Sequence, residues 1–264
     1  MLSGLTHAPG VVDPVTALLA VQQGFSALHL SGAVVSATRL GRPDLGFVDG
    51  TDIADVAAQI TRVVSVPLIA DADTGYGGVL QVARTVEDYA RAGVAALHLE
   101  DQVSPKRCGH LAGKEVLPIE EAVAKVRAAV GVQALTIIAR TDALSVLGLD
   151  EAVRRAHAFA EAGADLVFVE GAHTAEQLAA VGLPQVLNRS QAGLVDDLDD
   201  ATLESLGVRV VIHPVAALLA MTAAARQVYR DLRATGRSQP AATWDELTDL
   251  VGLPEALAAE RGYA

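Results

Sequence analysis

Short apolar runs alternate along this chain with longer stretches in which apolar residues recur every three or four positions. The short runs, at residues 10–12, 27–30, 68–70, 95–99, 135–139, 166–169, 185–187 and 209–212, predict strands. Between them, residues 15–23, 52–64, 80–92, 119–129, 150–162, 175–181 and 200–206 carry the helical period. Asp150-Glu151 places acidic residues at the positive end of one helix dipole, and Ala92-Gly93 and Ala162-Gly163 are helix stops leading into the next strand. Such a strand–helix alternation predicts an α/β fold, a (β/α)8 TIM-type barrel. A doubly wound open sheet competes, but it would want a Gly-rich phosphate turn after the first strand, and the sequence has none there. A last barrel helix is expected from Pro214 to about residue 234. A Gly-Arg-Ser-Gln-Pro turn then precedes two short helices, 243–250 and 254–261, which are surplus to a barrel. No low-complexity linker interrupts the pattern, so residues 1–264 are expected to form one domain. It comprises a barrel over 1–234 and a helical arm over 235–264 that could serve oligomerisation.

Polar residues follow the apolar runs with regularity: Ser31-Gly32, Asp71 and Asp73, Glu100-Asp101, Arg140-Thr141-Asp142, Glu170, Asn188 and His213. In a parallel barrel these are the strand C-termini, where chemistry sits. The stretch from His98 to Lys114, HLEDQVSPKRCGHLAGK, adds Lys106, Arg107, Cys108, Gly109 and His110. Pro105, Gly109 and Gly113 mark a loop, and cations beside a thiol favour the thiolate. A cysteine used as a small core hydrophobe keeps apolar company; this one does not, and a reactive thiol on a catalytic loop is expected. Asp71, Asp73 and Glu100 offer hard oxygen ligands at neighbouring strand ends, suited to Mg2+ or Mn2+. Zinc would want more His or Cys. A single such Asp could merely cap a helix; three at adjacent strand ends point to a metal. Arg140 is expected to clamp a carboxylate or phosphonate, or to pair with Glu170 or Asp142. Asn188, Ser31 and the Gly32 backbone would supply neutral donors, and His7, His29 and His157 are read as surface or packing residues.

Composition narrows the partners. Hydrophobic residues make up 51% of the chain and aromatic ones 3%, so the core must be built from Ala, Val, Leu and Ile, as in parallel strands buried on both faces. A formal net charge of -12 argues against nucleic acid or an anionic membrane as partner. One cysteine excludes an internal disulfide and fits a reducing compartment. MLSGLTHAPG lacks a basic segment followed by an apolar core, so no secretory signal is read there. No uncharged apolar run nears the ~20 residues that span a bilayer. A soluble, cytoplasmic protein is expected.

The motifs DADTGYG, HLEDQVSPKRCGH and IIARTDAL, with PGVVD, LSGAVVSATRLGRPDLG and ATWDELTDL, resemble the isocitrate lyase / phosphoenolpyruvate mutase superfamily over nearly the whole chain. KRCGH is specific to a subset of it, and the family's lead-in helix is expected to be short or absent. The resemblance implies a barrel whose C-terminal helix is exchanged between neighbours in a homotetramer, a dimer of dimers. It implies Mg2+ held by Asp71 and Asp73, with Asp44 and Glu100 acting through water. Ser31, Gly32, Ala33, Arg140, Glu170 and Asn188 would line the substrate site. Lys106, Arg107, Cys108, Gly109 and His110 would ride a gating loop, with the cysteine as general acid or base. Mutase members often lack that cysteine, so the implied activity is Mg2+-dependent carbon–carbon cleavage. The substrate would be a small 2-hydroxy dicarboxylate, a 2-alkylmalate or methylisocitrate-like acid, giving a 2-oxo acid such as pyruvate. Oxaloacetate hydrolysis, phosphonomutase chemistry of the carboxyphosphonoenolpyruvate type and non-catalytic dicarboxylate binding are the alternatives.

Two departures from the family pattern bear on the substrate. Leu219 stands where methylisocitrate lyases carry an Arg, and Trp244 follows Thr243 where they carry Thr-Arg. Both changes remove binding for an extra carboxylate and point away from a tricarboxylate, towards the dimethylmalate lyase and oxaloacetate hydrolase members. The run Asn188-Arg189-Ser190-Gln191-Ala192-Gly193 replaces an NMxEGG-like run: Gln191 cannot act as a base, and Arg189 is an added cation, a candidate to stand in for the lost clamp.

Overall fold

The computed structural model describes residues 4–109, 111–189, 198–239 and 241–263. Its strands are β1 (Thr6–Pro9), β2 (Leu28–Leu30), β3 (Leu68–Asp71), β4 (Ala96–Glu100), β5 (Thr136–Thr141), β6 (Leu166–Val169), β7 (Gln185–Asn188) and β8 (Val208–His213). All pair in parallel, in the order β1-β8-β7-β6-β5-β4-β3-β2. The ring closes where Gly10 bridges His29 and the Val11 N–H donates to the His29 carbonyl at 2.9 Å. Glycine is required there: a Cβ on Gly10 would fall 2.0 Å from the Pro214 carbonyl oxygen. The expected barrel is therefore present, with one correction. The first strand is Thr6–Pro9, not residues 10–12. Thr6 and His7 make it look polar, whereas Val11 and Val12 owe their burial to the turn that leads into the first helix.

The helices are α1 (Pro14–Gln22), α2 (Gly32–Val35), α3 (Gly50–Thr61), α4 (Val79–Arg91), α5 (Ile119–Gly131), α6 (Ala143–Leu147), α7 (Leu149–Glu161), α8 (Ala175–Val181), α9 (Asp200–Ser205), α10 (Ala216–Thr235), α11 (Trp244–Leu250) and α12 (Leu253–Tyr263). Their starts are chemically marked. Asp13 accepts from the Thr16 N–H while the Thr16 hydroxyl reaches back, with Pro14 opening the helix. Thr174 with Gln177 and Thr243 with Glu246 repeat this box. Four helices bury the same stripe: Ile53, Val56, Ala57 and Ile60 on α3; Val82, Thr85, Val86 and Tyr89 on α4; Ala122, Lys125, Val126 and Ala129 on α5; Ala152, Arg155, Ala156 and Phe159 on α7. That i, i+3, i+4, i+7 spacing is one face of a helix laid on the sheet. Two members are cations that reach towards the barrel rim: Lys125 Nζ donates to the Thr74 carbonyl at 3.0 Å and Arg155 Nη1 to Asp101 Oδ2 at 2.9 Å.

A π-helical turn, Ser36–Leu40, runs on from α2. By contrast α10, α11 and α12 bury no residue and leave Tyr229, Trp244 and Tyr263 exposed. Among the described residues, no helix is long and apolar enough to cross a membrane.

Inside the ring, Ala8, Ala27, Ile69, Ala96, Ile138, Phe168, Val186 and Val210 pack as one cluster. Side chains alternate along a strand, so the next inward residue lies two positions on. Applying that step upward from the cluster gives His29, Asp71, His98, Arg140, Glu170, Asn188 and Ile212. Ile212 on β8 continues the apolar cluster, while on the other six strands the barrel turns from hydrocarbon to polar and charged groups within one layer. A cavity of about 500 Å³ opens below the cluster, at the strand N-termini, with a mainly apolar lining.

Candidate active site

The upper layer surrounds a cavity of about 90 Å³ at the strand C-termini. His29, Asp71, His98, Arg140, Glu170, Asn188 and Ile212 line it from the strands, and Ser31, Ala33, Asp44, Lys106, Cys108, Gly109, Phe168, Pro214 and Val215 complete the wall. Most of the residues expected from sequence thus meet in one place. Gly32, Asp73 and Glu100 stand directly behind this wall. The Gly32 and Asp73 amides donate to the two oxygens of Asp71, each at 3.0 Å, and the Glu100 amide donates to the Asp73 carbonyl at 2.9 Å. Arg107 is exposed, lies over Gly113 and does not line the cavity. His110 lies outside the described residues, as do Ser190, Gln191, Ala192 and Gly193. Arg189 donates to the Leu198 carbonyl at 2.7 Å and is not among the lining residues; neither is Leu219, which is exposed on α10.

The acidic corner is held in a demanding geometry. Asp73 has φ 43°, in the left-handed region that non-glycine residues avoid, and costs of the order of 1–3 kcal/mol are typical of such positions. The amide and carbonyl contacts above fix it there. Burial opposes ionisation of Asp71, but the His98 ring, Lys106 and Arg140 outweigh it and hold that carboxyl below the usual range. Burial and the charge of Asp71 push Asp73 up to about 7, and burial raises Glu100 well above an ordinary carboxyl. Lys106 Nζ enters this corner, 2.5 Å from Asp44 Oδ1 and 2.8 Å from Asp73 Oδ1. Burial works against its charge, yet Asp73, Asp71, Glu100 and Asp44 keep it firmly protonated. The Lys106 contact with Asp73 Oδ1 is an ion pair without hydrogen-bond geometry. Asp73 Oδ1 and Glu100 Oε1 are thus buried oxygens that accept no hydrogen bond.

Those oxygens fit a hard dication. Two acceptors lack donors, a lysine ammonium already sits among the carboxylates, and a Cβ on Gly32 would fill the space beside Asp71 Oδ2 and Asp73 Oδ1 at 3.1 and 3.2 Å. Among the described residues, no three His, Cys, Asp or Glu side chains converge on one preformed ion position. Mg2+ usually takes only one or two carboxylates and completes its shell with water and substrate.

Arg140 anchors the opposite side. Its Nε and Nη2 grip Asp142 at 2.8 and 3.0 Å, its Nε lies 3.3 Å from Glu100 and its Nη1 lies 3.9 Å from Glu170. Asp142 is itself set by Asp101, whose Oδ1 accepts from the Asp142 amide while Oδ2 accepts from Thr141 and Arg155. Arg140 is thus paired with Asp142, one of the partners foreseen for it, and it also lines the cavity. Asn188 Nδ2 stands 3.4 Å from each Glu170 oxygen, leaving its own carbonyl oxygen without a donor.

The loop that follows β4 folds down over the opening. Gln102 pinches its foot, accepting from the Arg107 amide and donating to the Arg107 carbonyl. Higher up, the Cys108 amide donates to the Asp44 carbonyl at 3.2 Å. Gly109 lies so close to the barrel that a Cβ would stand 2.8 Å from Arg140 Nη2 and from Glu170 Oε1. Lys114 Nζ donates to the Gly109 carbonyl at 2.6 Å and to Asp142 Oδ1 at 2.9 Å. Ser36 braces the facing segment through the Arg42 and Pro43 carbonyls.

His29 and His98 were not foreseen as part of the site. Their rings stack 5.2 Å apart with Nε2 atoms 3.0 Å from one another, and His98 Nδ1 lies 3.4 Å from Asp71. Burial, reinforced by His98, pushes His29 down to about 3, and burial lowers His98 as well. The His29 imidazole is therefore neutral, and the two Nε2 atoms stand where one proton can be shared between them. The signal available in the sequence was position: each lies two residues beyond an inward alanine of its strand.

Comparison with known proteins places this site in a family. Residues 3–233 match the phosphoenolpyruvate phosphomutase family. A 2,3-dimethylmalate lyase from Eubacterium barkeri is 38% identical over 97% of this chain and 93% of its own length. A 2-methylisocitrate lyase from Aeropyrum pernix is 41% identical over 93% of this chain and 82% of its own. Among solved structures, oxaloacetate acetylhydrolase in complex with 3,3-difluorooxalacetate superposes with TM-score 0.92 at 39% identity, covering 98% of this chain and 92% of that one. A phosphonopyruvate hydrolase complex with oxalate and Mg++ gives TM-score 0.87 at 32% identity, over 98% and 94%. The chain belongs to the phosphoenolpyruvate phosphomutase family, within the isocitrate lyase / phosphoenolpyruvate mutase superfamily that its motifs resemble.

Proposed function

We propose that this protein is a Mg2+-dependent carbon–carbon lyase that cleaves a small 2-hydroxy dicarboxylate to a 2-oxo acid, such as pyruvate, and a second carboxylate. The observation that carries this reading is the delivery of Cys108 by the closed loop into the same cavity as Asp71, Arg140 and Glu170. Relatives named as 2,3-dimethylmalate and 2-methylisocitrate lyases support it. Asp71 and Asp73 would hold Mg2+, with Asp44 and Glu100 ordering its waters; a related hydrolase carries Mg++. The ion would act as Lewis acid on the carboxylate and hydroxyl oxygen at one end of the substrate.

A retro-aldol cleavage needs the 2-hydroxyl proton removed as the carbon–carbon bond breaks and the oxo group forms, negative charge accommodated on the departing fragment, and a proton delivered to the carbon set free. Arg140, gripped by Asp142, faces the cavity with a permanent charge in a fixed orientation. Cys108 is the proton donor, carried on the loop that shuts out water. Lys106 closes the acidic side against Asp44 and Asp73. Ser31 and Asn188 offer neutral hydrogen-bonding groups to substrate oxygens. Ala33, Phe168, Ile212, Pro214 and Val215 give the cavity an apolar side. Among the described residues, its lining cations are Lys106 and Arg140. A short diacid with alkyl substituents matches that lining better than a tricarboxylate.

The same reading includes a cytoplasmic homotetramer in which the arm of α11 and α12 is exchanged between subunits, since neither helix has a buried residue within its own chain. The substrate is tested by following 2-oxo acid release from a panel of 2-alkylmalates, 2,3-dimethylmalate and 2-methylisocitrate with Mg2+, and oxalate release from oxaloacetate. Turnover of a dialkylmalate above the tricarboxylate supports the proposal. Preferred turnover of methylisocitrate would refute the argument from the apolar wall, and oxalate as the main product would replace the lyase by a hydrolase.

A further inference from the structure

The cationic positions of the loop that the sequence singles out are Lys106 and Arg107; beside the Lys106 ammonium on Asp44 and Asp73, a second ammonium, that of Lys114, ties the loop tip to the barrel. Its side chain is 3% exposed. Its Nζ touches two groups of different kinds: the carbonyl of Gly109, on the loop, and Oδ1 of Asp142, the residue that follows β5. Asp142 also accepts from Arg140, from Nε at Oδ2 and from Nη2 at Oδ1. The foot of the loop is secured independently, by Gln102 and by the Val103 amide donating to the Glu115 carbonyl. Opening of the tip would therefore leave the foot in place and break the contact at Lys114, along with those of Lys106 and of the Cys108 amide on the acidic side; of these, the Lys114 contact is the one shared with the partner of Arg140. Either the Gly109 carbonyl loses its charged donor, or the ammonium leaves Asp142 and unbalances the pair that orients Arg140.

We propose that Lys114 is the positioning residue that couples closure of the 103–115 loop to the orientation of Arg140, so that Cys108 reaches the cavity only when the anion-binding guanidinium is set. This deepens the lyase reading and rests on it for the identity of the reaction. A charge-assisted hydrogen bond to a backbone carbonyl is roughly twice as strong as a neutral one. Gly109 has no side chain to make any other contact with the barrel.

The test compares wild type with Lys114→Met, which keeps the stem and removes the charge, and Lys114→Arg, which keeps the charge. Two quantities are read: kcat and KM on the diacid that wild type turns over, and the rate of tryptic cleavage after Lys106 and Arg107. Cleavage is followed by mass spectrometry with and without Mg2+ plus oxalate as the closing probe. The expected result for Lys114→Met is a kcat lower by roughly 100-fold, the scale of a catalytic group displaced by about 1 Å, with KM changed much less. The probe should protect the loop of wild type and of Lys114→Arg, but not that of Lys114→Met. If the methionine variant melts at a much lower temperature than wild type, Lys114→Gln, which keeps a neutral donor, replaces it with the same outcomes expected. A Lys114→Met loop protected as well as wild type, undiminished kcat, or a wild-type loop cut equally fast with and without the probe would each overturn the proposal. Protection is read without turnover. A wild type silent towards every diacid would therefore refute the lyase reading, while proteolysis alone decided the role of Lys114.

Discussion

At position 109 a single carbon atom separates a loop that closes from one that cannot. Gly109→Ala would put a methyl group 2.8 Å from Arg140 Nη2 and Glu170 Oε1, and Arg140 is not free to yield because Asp142 holds it by two hydrogen bonds. The expected outcome is a fall of roughly 100-fold in kcat/KM with an unchanged melting temperature, checked by steady-state kinetics and thermal unfolding. Cys108→Ala should cost ~10²–10⁴ in kcat, the usual worth of a general acid, while Mg2+ affinity measured by titration calorimetry stays as in wild type. A clustered, cationic, Gly-rich loop around Cys108 stands out in a sequence, as do acids that follow apolar runs. Lys114 and His98 do not. One is a lysine among polar neighbours, and the other a histidine inside an apolar strand; only the fold shows what each one touches.

Strand periodicity carries the element scale. The site layer follows from the apolar layer by a step of two residues on each of seven strands, from Ala27 to His29, Ile69 to Asp71 and onward. β1 escaped notice because Thr6 and His7 disguise a strand of four residues, and α2 and α6 because helices of one turn are too short to show a 3.6-residue period. These short helices follow β2 and β5, where tertiary contacts shape the backbone around the cavity. Burying His29 within the site layer has a consequence for stability. Its folded value of about 3 lies below the ordinary 6.5, so between these values the unfolded chain binds a proton that the folded chain refuses. Stability contributed by this group is therefore full above pH 6.5 and is lost as pH falls towards 3. The limiting slope is about 1.4 kcal/mol per pH unit. His29→Phe should flatten the decline in melting temperature between pH 7 and pH 5 relative to wild type; parallel declines would contradict the burial argument.

For the whole molecule, alternation of strands and helices was enough to foresee the barrel, because each period there is imposed by burial against the sheet; the arm was legible as helices left over once the barrel was complete. The seventh-strand run after Arg189 falls outside the described residues, so its Gln191 and Gly193 are known from sequence alone. The arm carries the chain's one tryptophan, Trp244, 75% exposed within its own subunit. If neighbouring subunits cover the arm, sedimentation should give a tetramer and Trp244 emission should be blue-shifted, moving to the red on dilution into subunits. A monomer with solvated tryptophan would contradict the exchanged arm. The central claim, carbon–carbon cleavage by Cys108 in a Mg2+ site, meets its most direct test in pyruvate release from 2,3-dimethylmalate, coupled to NADH oxidation by lactate dehydrogenase. The account predicts release that requires Mg2+, stops with EDTA and all but vanishes in Cys108→Ala. Release unaffected by EDTA, or a Cys108→Ala enzyme turning over at the wild-type rate, would contradict it.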